Sequence, residues 1–452
     1  MNPAIFREYD IRGVADKDFD SHFVANLGRA YGTYVRAQEK HHIAVGRDCR
    51  LTSDQYALAL REGLRSTGVD VIDLGVCPTP LMYFALHHYD LDGGIQVTGS
   101  HNPADYNGFK LCIGKITIHG EEIQALRQLI ERGTFIVGSG KEEPASIIPP
   151  YQEFVIRQFG RLGRKIPVVI DAGNATGGPV APRIFREIGC QVTELFCDLD
   201  GRFPNHHPDP TVPENLRALI ATVKETNAEI GIAYDGDADR VGIVDRHGRI
   251  IWGDEMLVLF ARDVLVQHPG ATIVSEVKCS QRLFDDVAQH GGVPIMWKAG
   301  HSLLKAKMRE TGALLGGEMS GHIFFADRYF GYDDGVYASC RMVEILSSHG
   351  KEITELLSDL PPSCSTPEIR IECPDNLKFR IAEKVCNYFR GKYEVVDIDG
   401  VRVKFPDGWG LVRASNTQPV LVLRFEAATE EKLNAYRSEV EKVVEAVKRE
   451  LQ

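Results

Sequence analysis

Three aspartates alternate in Asp235-Gly-Asp-Ala-Asp-Arg240, directly after the apolar run Ile230-Gly-Ile-Ala-Tyr234. Alternation along an extended segment throws Asp235, Asp237 and Asp239 to one side, and three converging hard carboxylates call for a cation. The plain alternative is a solvated acidic turn. Apolar stretches on both sides, Ile230 to Tyr234 and Val241 to Val244, instead make this the end of a strand. An EF-hand opens with the same alternation but needs Gly at its sixth place and Glu at its twelfth, where this chain has Arg240 and Arg246. A phosphatase of the haloacid-dehalogenase type would also put Asp-x-Asp at a strand end. The third carboxylate and the adjacent Arg240 suit a metal cradle beside a phosphate better.

A serine lies between glycine and histidine in Thr98-Gly-Ser-His-Asn-Pro103, and Lys110 follows a short hairpin later. A tight turn after a strand would project the Ser100 hydroxyl from a surface loop toward a transferring group, and Lys110 would stabilise charge on a phosphoryl group. Read alone, the stretch is also compatible with a Ser/Asn turn ended by Pro103. Gly317-Glu-Met-Ser-Gly-His322 offers a carboxylate, a hydroxyl and an imidazole at alternating positions, the mixed donors and acceptors that sugar hydroxyls need. Ordinary loop polarity is the alternative there. Arg413-Ala-Ser-Asn-Thr-Gln-Pro419 gathers a guanidinium, two hydroxyls and an amide, a set able to clamp a phosphate dianion unless it is a plain polar turn.

The elements that must position these loops read as strands alternating with amphipathic helices, the pattern of an α/β protein. A weak repeat runs through them. Ile43-Ala-Val-Gly, Pro167-Val-Val-Ile-Asp and Thr272-Ile-Val-Ser-Glu each predict a buried strand, followed by a polar turn (Arg47-Asp-Cys-Arg50 in the first) and a helix. Each helix ends at a glycine, Gly68, Gly189 or Gly291, before another apolar strand. The three loops at 98–103, 235–240 and 317–322 occupy equivalent places in these units, beyond strand ends, where open α/β sheets bind ligands. Turn residues cluster at 137–150, around Arg246-His-Gly-Arg249 and at Pro361-Pro-Ser-Cys-Ser365. From about Thr366 the pattern changes to a small α+β domain with a Pro406-Asp-Gly turn and a closing charged helix.

A chain of 452 residues exceeds one hydrophobic core and suggests roughly three or four domains. Apolar residues make up 43% and charged residues 25%, and no apolar run nears the roughly 18 residues of a membrane span. The net charge of -11 and the lack of a Lys/Arg block argue against nucleic acid or an anionic membrane, while leaving room for an anionic small substrate in a locally basic cleft. The opening residues lack the pattern of a secretory signal, and ten cysteines without a Cys-x-x-Cys pair fit reduced thiols, so a cytoplasmic protein is expected. A reactive thiol at Cys279 is the alternative to a buried one.

Together the four loops resemble the α-D-phosphohexomutase family over the whole chain and in the family's order. The opening Phe6-Arg-Glu-Tyr-Asp-Ile-Arg-Gly13 is similar to the family's N-terminal segment, and Glu-Met-Ser-Gly-His to its bacterial phosphomannomutase/phosphoglucomutase branch. The resemblance implies three related mixed α/β domains plus a C-terminal α+β domain in a heart-shaped arrangement around a central cleft. Their expected spans are 1–145 with the phosphoserine loop, 146–246 with the metal loop, 247–361 with the sugar loop and 362–452 with the phosphate loop. It further implies an isomerase that interconverts hexose 1-phosphate and hexose 6-phosphate through a phosphoserine and a hexose 1,6-bisphosphate, which also acts as activator. Ser100 would carry the phosphate and join Asp235, Asp237 and Asp239 around Mg²⁺. His101, Lys110 and Arg240 would assist the chemistry, with His322 in proton transfer. Tyr9, Arg12, Lys278 and His301 would bind substrate, Glu318 and Ser320 the sugar's 3- and 4-hydroxyls, and Arg413, Ser415, Asn416 and Thr417 the phosphate that is not reacting.

Small sugar phosphates are the expected partners, with no nucleic acid and no membrane, and the expected state is a monomer. Glucose and mannose differ only at the 2-hydroxyl, away from those inferred contacts, so the reading covers both. A phosphoglucosamine mutase, a strict phosphoglucomutase and a metal-dependent phosphatase stay open. A non-catalytic sensor would leave both the serine and the metal triad unexplained.

Overall fold

The computed structural model describes residues 2–416 and 418–451. It divides into two compact units, one formed by residues up to Asp263 with Ser320–Leu357, the other by Val264–Met319 with residues from Ser358 onward.

The first unit holds two mixed sheets. In one, His42–Arg47 pairs in parallel with Asp70–Val76 and Gly93–Val97, and the antiparallel strands Tyr106–Ile113 and Ile11–Val14 extend it. In the other, Pro167–Asp171 lies parallel to Gln191–Leu195 and Ile230–Tyr234, and Val241–Asp245 returns antiparallel. Ile230–Tyr234 and Val241–Asp245 are buried at every position, as strands covered on both faces must be, which is why they read as continuous apolar runs.

In the second unit, Thr272–Glu276 pairs in parallel with Val293–Trp297 and Leu315–Gly317. The repeat expected from sequence is thus present three times as strand, helix and parallel strand, through Ser53–Arg65, Ala181–Glu187 and Gln281–Gln289. From residue 364 an antiparallel sheet follows, whose longest strands are Gly408–Ala414 and Val420–Ala427. Helices Asp375–Arg390 and Glu430–Leu451 cover it, so Ile381, Val385, Val440 and Val444 share a core with Val403, Val412 and Leu423.

Within the turn-rich stretch 137–150 the structure also holds regular elements. Glu142–Pro144 adds a parallel edge strand beside Asp70–Val76, and Pro149 and Pro150 lie in the first turn of a helix, Ile148–Phe159. Proline is tolerated there because the first turn's amides have no partner within the helix. None of the ten cysteines is in a disulfide among the described residues, and Cys279 is fully buried. Among the described residues no helix is long and apolar enough to cross a membrane.

Candidate functional site

In the first unit, two strand ends deliver the serine and the aspartates, and the interior of a third strand the lysine, to one place. Asp235, Asp237 and Asp239 leave Ile230–Tyr234, are fully buried, and offer oxygens within 4.8 Å of one another. Ser100 leaves Gly93–Val97 in a left-handed conformation, φ 49°, and its hydroxyl donates to Asp235 Oδ2 at 2.8 Å. The serine is only 2% exposed, so the hydroxyl expected in a surface loop is buried, while His101 and Asn102 beside it are half-buried and Pro103 is exposed. His101 Nδ1 lies 3.2 Å from the same hydroxyl. Burial, with the Arg240 and Arg12 guanidiniums beside it, pushes the His101 imidazole well below its usual range.

Lys110, in strand Tyr106–Ile113, donates to Asp237 Oδ2 at 2.7 Å and also to Asp239. Burial opposes its charge, but Asp237 and Asp239 outweigh that and raise its pKa. Asp237 is likewise opposed by burial, yet the Lys110 ammonium holds its carboxyl below the usual carboxylate range. Burial raises Asp235 and Asp239, reinforced by the Asp237 charge. Three buried carboxylates exceed what one ammonium neutralises, and Asp237 Oδ1 and Asp239 Oδ1 are buried without a hydrogen-bond partner among the described residues. The donor set therefore fits a divalent cation.

Arg240 Nε donates to His322 Nε2 at 2.9 Å, and a backbone bridge joins the same two residues. The other ring nitrogen of His322 is 3.0 Å from Asp333 Oδ2 and 3.5 Å from Asp239 Oδ1. Arg12, on Ile11–Val14, donates to Asn102 in the serine loop at 2.7 Å. Tyr9 is buried just before that strand, and Ser320 is half-buried two residues before His322.

The second unit carries its own polar cluster. Glu276, at the end of Thr272–Glu276, accepts from the backbone N–H of Lys278 at 2.6 Å and of Met319 at 3.3 Å. The Lys278 ammonium donates to Glu368 at 3.3 Å. Burial disfavours its charge, but Glu276 and Glu368 outweigh that and raise its pKa. Glu318 accepts from Gly300 N at 2.7 Å, just before helix His301–Thr311 begins with His301. Asp399 Oδ2 accepts from Ala299 N at 3.0 Å and from Arg413 Nε at 2.9 Å. Ser415 Oγ accepts from Gln418 N at 3.1 Å, Asn416 is half-buried, and Thr417 lies outside the described residues.

Several partners escape a reading of the sequence. Thr79, at the start of helix Thr79–His88, donates its hydroxyl to Asp237. Asp48 and Arg50 stand behind the serine loop, and their turn, Arg47-Asp-Cys-Arg50, was legible as a polar strand end without a role. Asp333 and Asp399 carried no local signal.

Family models described as phosphoglucomutase/phosphomannomutase alpha/beta/alpha domains I, II and III match residues 3–137, 150–248 and 252–364, and the C-terminal domain model matches 368–443. A phosphomannomutase/phosphoglucomutase of Pseudomonas aeruginosa is 47% identical over 98% of this chain and 96% of its own length. A phosphoglucomutase of Neisseria gonorrhoeae is 44% identical over 98% and 97%. The crystal structure of a phosphoglucomutase/phosphomannomutase family protein from Burkholderia thailandensis superposes with a TM-score of 0.92 at 46% identity, covering 99% of this chain and 98% of that one. Four domain models in sequence define a four-domain α/β architecture. The chain belongs to the α-D-phosphohexomutase family, in its phosphoglucomutase/phosphomannomutase branch.

Proposed function

We propose that this phosphohexomutase interconverts the 1- and 6-phosphates of glucose and/or mannose with Ser100 as phosphoryl carrier and a hexose 1,6-bisphosphate as intermediate. One observation carries the reading: the buried Ser100 hydroxyl lies 2.8 Å from the first of three clustered aspartates, with an ammonium set against the other two. Asp235, Asp237 and Asp239, with an oxygen of phosphorylated Ser100, would hold Mg²⁺, which supplies positive charge to the group in transfer. Such transfer passes through a loose, charge-rich transition state, so positioning and electrostatics do most of the work.

Lys110 and Arg240 place further positive charge at that point. The bond between phosphorus and Ser100 Oγ breaks as one to the free sugar hydroxyl forms, and, following the family pattern, the hydroxyl's proton passes to His322, whose Nε2 must first exchange the Arg240 Nε–H it accepts for the sugar hydroxyl. The bisphosphate then turns and returns its other phosphate to Ser100. Following the family pattern, His101 assists at the serine, and Tyr9, Arg12, Lys278 and His301 bind substrate. Glu318 and Ser320 meet the 3- and 4-hydroxyls, and Arg413, Ser415, Asn416 and Thr417 grip the other phosphate. The domain limits near 145, 246 and 361 belong to the same reading.

The test is Ser100→Ala, assayed with glucose 1-phosphate and mannose 1-phosphate, with and without a trace of hexose 1,6-bisphosphate. A loss of at least about a thousandfold is expected, with the fold kept. Near-normal turnover would end the claim. Stoichiometric release of inorganic phosphate by the wild type would make it a phosphatase instead.

A further inference from the structure

Asp48 and Arg50 follow strand His42–Arg47, and both are 2% exposed. The Arg50 guanidinium donates to backbone carbonyls of the serine loop at Ser100 (2.8 Å), Asn102 (2.6 Å) and Tyr106 (3.0 Å), and to that of Pro103. Asp48 accepts from Arg50 Nε at 3.0 Å, from Thr98 Oγ1 at 2.9 Å and from Gly99 N at 3.1 Å. Thr98 Oγ1 in turn accepts from Ser100 N at 2.8 Å. The serine's own N–H and C=O are thus both held by this pair, one through Thr98 and the other directly.

The packing leaves no slack. A Cβ on Gly99 would lie 2.6 Å from the Arg50 guanidinium carbon, and one on Gly236, in the aspartate loop, 2.3 Å from the Ser100 carbonyl oxygen. Ser100 holds φ 49° between them, a conformation an L residue seldom keeps without support. Only a planar fork with five donors can serve one carboxylate and several carbonyls together, and a lysine ammonium has three.

We propose that Asp48 and Arg50 are positioning residues for phosphoryl transfer: they lock the serine loop so that the Ser100 oxygen is presented to the incoming sugar hydroxyl in one orientation. The inference rests on Ser100 being the phosphoryl carrier. Because Arg50 grips the carrier's own carbonyl, loosening it displaces Oγ from Asp235, and it reaches a group assigned to substrate binding, Arg12, through the Asn102 side chain. A misplacement of about 1 Å in a reacting group costs on the order of a hundredfold in rate.

The experiment compares Arg50→Lys and Thr98→Val with Ser100→Ala in the full-length enzyme. Both positioning variants are expected to lose about a hundredfold in kcat, with KM for glucose 1-phosphate within about threefold of wild type. Phosphorus NMR of the phosphoserine should show a shifted or broadened resonance in each. Should Arg50→Lys fail to fold, Thr98→Val, which keeps side-chain shape and charge, decides alone. A lowered melting temperature with kcat and the phosphorus resonance unchanged would overturn the proposal and leave the pair as scaffold only. If Ser100→Ala itself stays active, the carrier reading fails and this inference with it. If Ser100→Ala is inactive while the other two turn over normally, only the positioning claim falls.

Discussion

Arg413 is asked to hold a phosphate while its Nε already faces a carboxylate, Asp399, at 2.9 Å. Asp399 also receives the Ala299 N–H, so the same contact orients the turn that leads into His301. Removing the guanidinium should therefore do two things at once. A charge-assisted hydrogen bond contributes about 1.5–3 kcal/mol, so Arg413→Ala should raise KM by about ten- to a hundredfold for glucose and mannose phosphates alike. It should also release more bisphosphate, so that added glucose 1,6-bisphosphate restores part of the rate. With Asp399 left without its cation, the melting temperature should fall too. Melting temperature and KM measured on one preparation separate the contributions. A stability loss with unchanged KM and no bisphosphate rescue would reduce Arg413 to a partner of Asp399.

Helix Thr79–His88 bears on the site at one end and on an aromatic cluster at the other. Its Thr79 hydroxyl meets Asp237, while the His87 ring stacks on Phe330 with centroids 4.3 Å apart. Burial, helped by the charge of Lys115, lowers the His87 pKa from 6.5 to about 4. The unfolded chain therefore binds the extra proton first as pH falls, so stability is lost between about 6.5 and 4 and no further below. Allowing for partial exposure, the loss is about 1–3 kcal/mol. Asp334, pushed up to about 6 by burial, acts in the opposite sense as pH falls, so the difference between wild type and His87→Phe is the quantity to measure. Between pH 7 and pH 4.5 the wild-type urea midpoint should fall relative to that of the variant. Parallel curves would exclude His87 as the source.

What could be read from the sequence at this scale follows from how local each signal is. The aspartate loop was legible because alternation at a strand end is written in consecutive residues. Burial of Ser100 was not, since what covers it comes from Arg50 and Asp235, 50 and 135 positions away. Asp333 and Asp399 gained their meaning only when folding brought them to His322 and Arg413. Pro149 and Pro150 were legible as turn residues but not as the first turn of a helix, where proline's missing amide costs no hydrogen bond.

Neither compact unit is continuous in sequence, because the chain passes between them after Asp263, Met319 and Leu357. Each nevertheless has a core of its own, one around Ile43, Val45 and Phe109, the other around Val401, Val412 and Phe425. Chains larger than about 150 residues commonly unfold in more than one step, so calorimetry should show two transitions. The aspartate triad lies wholly within the first unit, so MgCl₂ should act there. At a hundredfold excess over its dissociation constant, the ion should stabilise that unit by about 2.7 kcal/mol and leave the other transition in place. Tryptophan fluorescence assigns the steps: Trp297 and Trp409 fall in the second unit and Trp252 in the first, so Trp252→Phe makes emission a reporter of the second unit alone. Asp237→Asn should abolish the magnesium shift, because it removes a charged donor whose second oxygen has no hydrogen-bond partner among the described residues. Persistence of the shift in that variant would place the ion elsewhere, and a single transition that moves as a whole would show that the two cores unfold as one.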